Sequence, residues 1–309
     1  MPELKGIIAP SPVFFNENGE LDLERLSAHL SLLHSGGVDG VLILGSTGEF
    51  FHLRPEERIA VAERAAEAVN GKMKLLVGTG DLRTSDAIAY TKHAKQIGAD
   101  AAVIISPFYW PLQERHLYRY YADIAEAVEI PILLYNYPSM TGVHLSPELV
   151  RRLALEYPHV VGIKETIDSP THIRDVICAV LPERPDFAVF AGADELVLYN
   201  LIVGGAGSIA SSWNFAFGSG TALHKAFSTG DMETAKREQK RLSVLSRIYD
   251  IDPCLGTIVK ETLYALNMGP KPHARPPALP LSDSARAKLR AILAEAGLLK
   301  NEGAGPTSG

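Results

Sequence analysis

Lys164 stands in an apolar run, His159-Val160-Val161-Gly162-Ile163-Lys164-Glu165. An ammonium is costly to place among apolar groups, and desolvation favours its neutral, nucleophilic form. A free amine of that kind attacks carbonyl carbons and forms imines. One β/α unit upstream lies a second run, Ile132-Leu133-Leu134-Tyr135-Asn136-Tyr137-Pro138. If these runs are neighbouring strands, about 4.8 Å apart, Tyr135 and Lys164 can meet. A phenol beside an amine suits the proton transfers that make and break a carbinolamine. A plainer reading stays open, in which Lys164 ends a strand, buries its stem and extends its head to water.

Other polar groups cluster at the ends of apolar runs. Gly45-Ser46-Thr47-Gly48 follows such a run and opens a helix; its glycines, freed amides and two hydroxyls form a small anion nest, sized for a carboxylate. The same residues also fit an ordinary strand-to-helix turn. Further sets are Ser106-Pro107-Phe108-Tyr109, Lys164-Glu165-Thr166, Gly192-Ala193-Asp194-Glu195 and Ser208 to Ser212. Taken singly, Tyr109 and Trp110 also read as packing or interface aromatics, and Asp194 and Glu195 as acids favoured at a helix N-terminus. Neither a Gly-x-Gly-x-x-Gly after the first strand nor a Gly-x-x-x-x-Gly-Lys-Ser/Thr motif occurs. The ten histidines are scattered, without metal-ligand spacing, so no metal is expected.

What must position these groups is an alternating series. Strand candidates begin near Gly6, Gly40, Lys74, Ala101, Pro131, His159, Phe187 and Gly207, mostly about 27 to 34 residues apart, the size of one β/α unit. Amphipathic stretches lie between them, as in Asp22 to Ser35, Pro55 to Val69, Thr84 to Ile97 and Ser146 to Glu156. The strand runs are continuously hydrophobic, as strands covered on both faces should be. Eight units argue for an α/β fold, a (β/α)₈ TIM barrel over residues 1–226, with an open doubly wound sheet as competitor. In such a barrel the strand carboxyl ends carry the active site, which is where the polar sets fall. Strand signals stop from about Phe227. A C-terminal helical extension is expected over 227–299, with helices at Asp231 to Tyr249, Leu255 to Leu266 and Asp283 to Ala296. Residues 300–309, rich in Gly, Ser and Pro, read as a disordered tail.

Composition narrows the setting. The 309 residues are 46% hydrophobic and 21% charged, ordinary for a packed domain. A formal charge of −6 gives no electrostatic footprint for nucleic acid or an anionic membrane. No apolar run approaches the roughly 18 residues of a membrane span, and the N-terminus lacks the layout of a signal peptide. With two distant cysteines, Cys178 and Cys254, no disulfide framework is expected and the cytoplasm is the natural compartment. Cys178, within Val176-Ile177-Cys178-Ala179-Val180, reads as core filler.

In order along the chain, Gly-Ser-Thr-Gly-Glu, Pro-Phe-Tyr, Tyr-Asn-Tyr-Pro and Gly-Ile-Lys-Glu resemble the dihydrodipicolinate synthase / N-acetylneuraminate lyase superfamily, from about Gly6 to the C-terminal helices. Tyr109-Trp110 and Lys164-Glu165-Thr166-Ile167-Asp168-Ser169 look most like its 2-keto-3-deoxy-sugar-acid (2-keto-3-deoxygluconate) aldolases. The resemblance implies a class I, Schiff-base pyruvate lyase on a (β/α)₈ barrel, a homotetramer using no cofactor. It implies that Lys164 forms the imine and that Tyr135 shuttles protons. Ser46 would link Tyr135 to Tyr109, lent by a neighbouring subunit, while Ser46 and Thr47, with Gly48 in the same nest, would hold the pyruvate carboxylate. The backbone carbonyl of Ile209 would line the pocket near the imine. Thr166, Gly192, Asp194, Glu195 and Ser211 match positions that bind sugar hydroxyls.

Synthases that condense pyruvate with aspartate semialdehyde carry Tyr-Asn-x-Pro-x-Arg-Thr-Gly, whose arginine grips the second substrate's carboxylate. Here the stretch is Tyr135-Asn136-Tyr137-Pro138-Ser139-Met140-Thr141-Gly142, and methionine cannot make that bidentate contact. The expected reaction is therefore reversible aldol cleavage of a 2-keto-3-deoxy sugar acid to pyruvate and an aldehyde. The alternatives are 4-hydroxy-tetrahydrodipicolinate synthase, a keto-deoxy sugar acid dehydratase and a non-catalytic sugar-acid binding barrel.

Overall fold

The aliphatic runs form eight parallel strands in a computed structural model that describes residues 4–299. They are β1 (Gly6–Pro10), β2 (Gly40–Ile43), β3 (Lys74–Gly78), β4 (Ala101–Ile105), β5 (Ile132–Asn136), β6 (Val160–Glu165), β7 (Ala188–Ala191) and β8 (Gly207–Ser208). Almost every residue in them is buried, because barrel-interior side chains cover one face and helices the other. The strands pair in chain order and β8 returns to β1 through Gly6↔Gly207 and Ile7↔Ser208, so the sheet is a closed barrel and not an open doubly wound one. Closure brings two backbones together: a Cβ on Gly207 would lie 2.0 Å from the Gly6 carbonyl oxygen, a contact only glycine permits.

The amphipathic stretches become the outer helices Leu23–Ser35, Pro55–Val69, Thr84–Gln96 and Pro147–Glu156. Their starts follow from local chemistry. Asp22, Ser146 and Ser169 each accept a hydrogen bond from an otherwise orphaned first-turn amide, worth about 1 kcal/mol per cap. Beyond the barrel, helices Met232–Leu245, Leu255–Ala265 and Asp283–Glu295 bury Leu242, Leu245, Ile258, Leu263, Leu289 and Leu293 in the hydrophobic core. Helix Phe217–Thr229 runs through residue 227, where strand signals end in the sequence. A buried ion pair, Lys260 Nζ to Glu49 Oε2 at 2.5 Å, ties helix Leu255–Ala265 to the turn after β2. The tail expected at 300–309 lies outside the described residues.

One expectation fails. Cys178 is exposed, not core filler. In helix Pro170–Val180 the inward stripe is Ile173, Val176, Ile177 and Val180, an i, i+3, i+4, i+7 set, and Cys178 falls off that stripe. Both cysteines are free thiols. Among the described residues no helix is long and apolar enough to cross a membrane, and no cluster of three metal-ligating side chains occurs.

Candidate active site

Tyr135 on β5 lies directly opposite Lys164 on β6. Both are nearly buried, at 3% and 4% exposed, and Lys164 Nζ sits 4.3 Å from the centroid of the Tyr135 ring. Burial pulls the Lys164 pKa down from its ordinary value to about 7, while the charge of Asp194 holds it up. A large share of Lys164 is therefore the free amine at neutral pH. Burial likewise pushes Tyr135 up to about 12, against the Ser46 and Thr166 hydroxyls, so the phenol keeps its proton. Ser46 Oγ is 3.3 Å from Tyr135 Oη, giving that proton a neighbour to exchange with.

On the opposite face of the same strands, the next residue pair is Asn136 and Glu165. Asn136 Nδ2 donates to Glu165 Oε2 at 2.8 Å, and Asn136 Oδ1 accepts from the Leu145 amide at 3.1 Å. His172 Nε2 lies 3.2 Å from Glu165 Oε1. This wholly buried carboxyl is raised in pKa by burial, opposed by His172 and Asn136. The cluster locks β5 to β6 from outside, and so fixes Tyr135 against Lys164 inside.

The nest after β2 is built on strained backbone. Leu44 has φ +56°, in the left-handed region, which turns the chain sharply into Gly45-Ser46-Thr47-Gly48. Gly78 on β3 makes room, since a Cβ there would lie 2.0 Å from the Leu44 carbonyl oxygen. Thr47 Oγ1 meets Ser211 Oγ at 2.8 Å, joining this turn to the one after β8. The segment does not open the following α-helix as expected. It passes through the short 3₁₀ turn Phe50–His52, and the helix begins at Pro55. Glu49 takes a left-handed conformation so that its buried carboxylate reaches Lys260.

Across the barrel mouth, Asp194 follows β7 in a tight 3₁₀ turn and is buried, with its Oδ1 lacking a hydrogen-bond partner. Burial and the adjacent Glu195 charge raise its pKa to about 7, against Ser212, Tyr249 and Lys164. Those two hydroxyls are near enough to be felt, yet neither meets Oδ1 at bonding geometry. Thr166 Oγ1 is also buried, near the Tyr135 phenol but short of hydrogen-bond geometry, and Gly192 packs on it so closely that a Cβ would be 2.0 Å away. Ile209 and Ser211 are buried at the end of β8, whereas Glu195 is exposed. Two buried oxygens, on Asp194 and Thr166, thus lack hydrogen-bond partners at this end of the barrel.

Tyr109 is not brought to this cluster within the chain. It is 89% exposed at φ +86°, next to Trp110 at 71%. Met140 is 53% exposed and, with Ser46, Thr141, Phe50, Phe108 and Leu255, borders a cavity of about 330 Å³. Among the described residues no guanidinium lines it. Sequence reasoning missed Tyr249 and Gln239, whose links to the Asp194 turn depend on how the C-terminal helices fold back.

The chain is similar to known proteins along nearly its whole length. Residues 3–296 match the Dihydrodipicolinate synthetase family. The chain is 37% identical to the probable 2-dehydro-3-deoxy-D-pentonate aldolase YjhH of Escherichia coli (strain K12), over 97% of this chain and 99% of that protein. It is 38% identical to the putative 2-dehydro-3-deoxy-D-gluconate aldolase YagE of the same strain, over 93% and 95% of the two chains. The crystal structure of YagE in complex with pyruvate superposes with a TM-score of 0.94 at 36% identity, covering 96% of this chain and 100% of that one.

Proposed function

Because the chain belongs to the dihydrodipicolinate synthetase family, we propose that it is a class I lyase that reversibly cleaves a 2-keto-3-deoxy sugar acid to pyruvate and an aldehyde. The observation that carries this reading is the buried Lys164 amine, with a pKa of about 7, held over the Tyr135 ring. The amine attacks the 2-oxo carbon. Tyr135, relayed by Ser46, supplies the proton that lets the carbinolamine oxygen leave as water. The resulting iminium accepts the electron pair of the C3–C4 bond as the C4 hydroxyl gives up its proton and the aldehyde departs. The enamine then takes a proton at C3, and water hydrolyses the imine to release pyruvate. The iminium is the electron sink, so the chemistry requires no metal or organic cofactor.

In this reading Ser46, Thr47 and the Gly48 turn hold the pyruvate carboxylate, and the Ile209 carbonyl lines the imine pocket. Thr166, Gly192, Asp194, Glu195 and Ser211 face the hydroxyls of the departing aldehyde. Tyr109 completes the relay from a neighbouring subunit of a homotetramer; its exposure beside Trp110 supports an assembled site. The free thiols suit a reducing cytoplasm. Met140, where synthases carry a carboxylate-gripping arginine, disfavours condensation with aspartate semialdehyde. Pyruvate and borohydride test the proposal together. One reduced adduct on the Lys164 peptide is expected, and an unmodified Lys164 would overturn the imine assignment.

A further inference from the structure

Asp194 is held from outside the barrel. Gln239, in helix Met232–Leu245, donates through Nε2 to the Asp194 carbonyl oxygen at 2.9 Å and accepts through Oε1 from the Leu198 amide at 2.8 Å. One side chain therefore spans the turn that carries Asp194, fixing it at both ends. Tyr249, in the following 3₁₀ turn Ser246–Asp250, meets Ser212 Oγ at 3.0 Å, and both hydroxyls lie beside the Asp194 carboxyl. Ser212 is wholly buried, and Asp194 Oδ1 stays unpartnered beside it. A carboxylate left with a free buried oxygen will swing to any donor unless its backbone and its neighbours are held.

We infer that Gln239 and Tyr249, both in the C-terminal helices, are positioning residues that keep Asp194 Oδ1 open as the acceptor for a substrate hydroxyl. This rests on the sugar-acid lyase reading. The barrel supplies the imine chemistry, and the extension sets the preference for a hydroxylated aldehyde portion.

Two substrates separate these roles: 2-keto-3-deoxygluconate, and 4-hydroxy-2-oxopentanoate, the aldol of pyruvate with acetaldehyde, which lacks the distal hydroxyls. Tyr249→Phe removes only the hydroxyl, and Gln239→Met removes both contacts to the turn. Each variant is expected to raise KM for the gluconate derivative about three- to tenfold, the usual worth of one hydrogen bond. The kcat for that substrate, the KM for 4-hydroxy-2-oxopentanoate and borohydride trapping of pyruvate should stay near the parent values. The fall in the preference ratio is the signature, because a general loss of structure would move both substrates alike. Parallel changes for both substrates, or an unchanged ratio in Tyr249→Phe, would overturn the positioning role. No pyruvate release from the gluconate derivative by the unsubstituted enzyme would instead overturn the sugar-acid reading, and the positioning role with it.

Discussion

Tyr135 faces Lys164 because β6 carries one residue more than β5 needs. Ile132 pairs with Val160, but Leu133 pairs with Gly162, leaving Val161 as a bulge. Without that slip Ile163 would stand opposite Tyr135, and Lys164 would turn to the other face, since side chains alternate along a strand. Gly162 follows the bulge where a Cβ would lie 2.4 Å from the Ala188 carbonyl oxygen. Glycine thus lets β7 approach just where the register changes.

The outer lock should be felt in both stability and rate. Asn136→Ala removes one of the two partners of the buried Glu165 carboxyl, leaving His172, and strands the Leu145 amide. A cost of about 1–3 kcal/mol per stranded group is expected by denaturant titration. Glu165→Gln, which keeps a hydrogen-bonding end group of the same shape, should cost less and retain turnover. Equal losses in the two variants would show that the cluster does not hold the register.

The Lys164 amine sets the pH dependence. Pyruvate trapping by borohydride should rise with pH through about 7 as the ammonium loses its proton, then level off. Asp194→Asn should move that midpoint lower, because Asp194 is the charge that supports the ammonium. An unchanged midpoint would mean that the two side chains do not interact.

Stability should mirror this. The folded-state pKa of Lys164 lies below its ordinary 10.5, so between about 7 and 10.5 the unfolded chain binds the extra proton and stability rises with pH. Lys164→Met should abolish turnover yet raise Tm near pH 7, by at least the equivalent of about 1 kcal/mol. That advantage should shrink toward pH 10, where the parent no longer protonates on unfolding. A destabilised variant at pH 7 would contradict a desolvated lysine.

Tyr135→Phe should lower kcat by roughly 10² to 10⁴, the range for a general acid–base group, with little change in Tm. Tyr109→Phe should also slow turnover, if a neighbour lends that phenol to the Ser46–Tyr135 pair. Light scattering should then find an oligomer, and mixed oligomers of Tyr109→Phe and Lys164→Ala subunits should recover part of the activity. A monomer with full activity excludes sharing.

Much of this site was legible in the sequence, and the limits are physical. Lys164 and Tyr135 stood out because each departs from an aliphatic run, and strand adjacency places them together without further information. The bulge at Val161 left only a glycine as signal, since it depends on how β5 to β7 close. The Leu44 strain was hidden, because the residue that permits it, Gly78, is on another strand. Gln239 and Tyr249 look like ordinary helix residues and acquire meaning only when their helices return to Asp194. Cys178 misled because its apolar neighbours define a stripe from which it is excluded by a fraction of a turn.

Substitution at Met140 tests the choice between partner aldehydes. Met140 is half exposed at a cavity whose lining is mainly apolar, where a synthase needs a cation for the semialdehyde carboxylate. Leaving that charge without a donor costs about 1–3 kcal/mol or more, and each 1.4 kcal/mol is about tenfold in affinity. The parent enzyme should therefore release pyruvate from 2-keto-3-deoxygluconate with far higher kcat/KM than it condenses pyruvate with aspartate semialdehyde. Both reactions are measured on one preparation, and a condensation faster by about tenfold would overturn the sugar-acid assignment. Met140→Arg adds the missing guanidinium at an exposed rim, so folding should be unaffected. It should raise semialdehyde use by about tenfold if the apolar cavity otherwise keeps a synthase shape. If condensation stays undetectable while sugar-acid cleavage persists, discrimination lies instead with Asp194 and Thr166 across the barrel mouth.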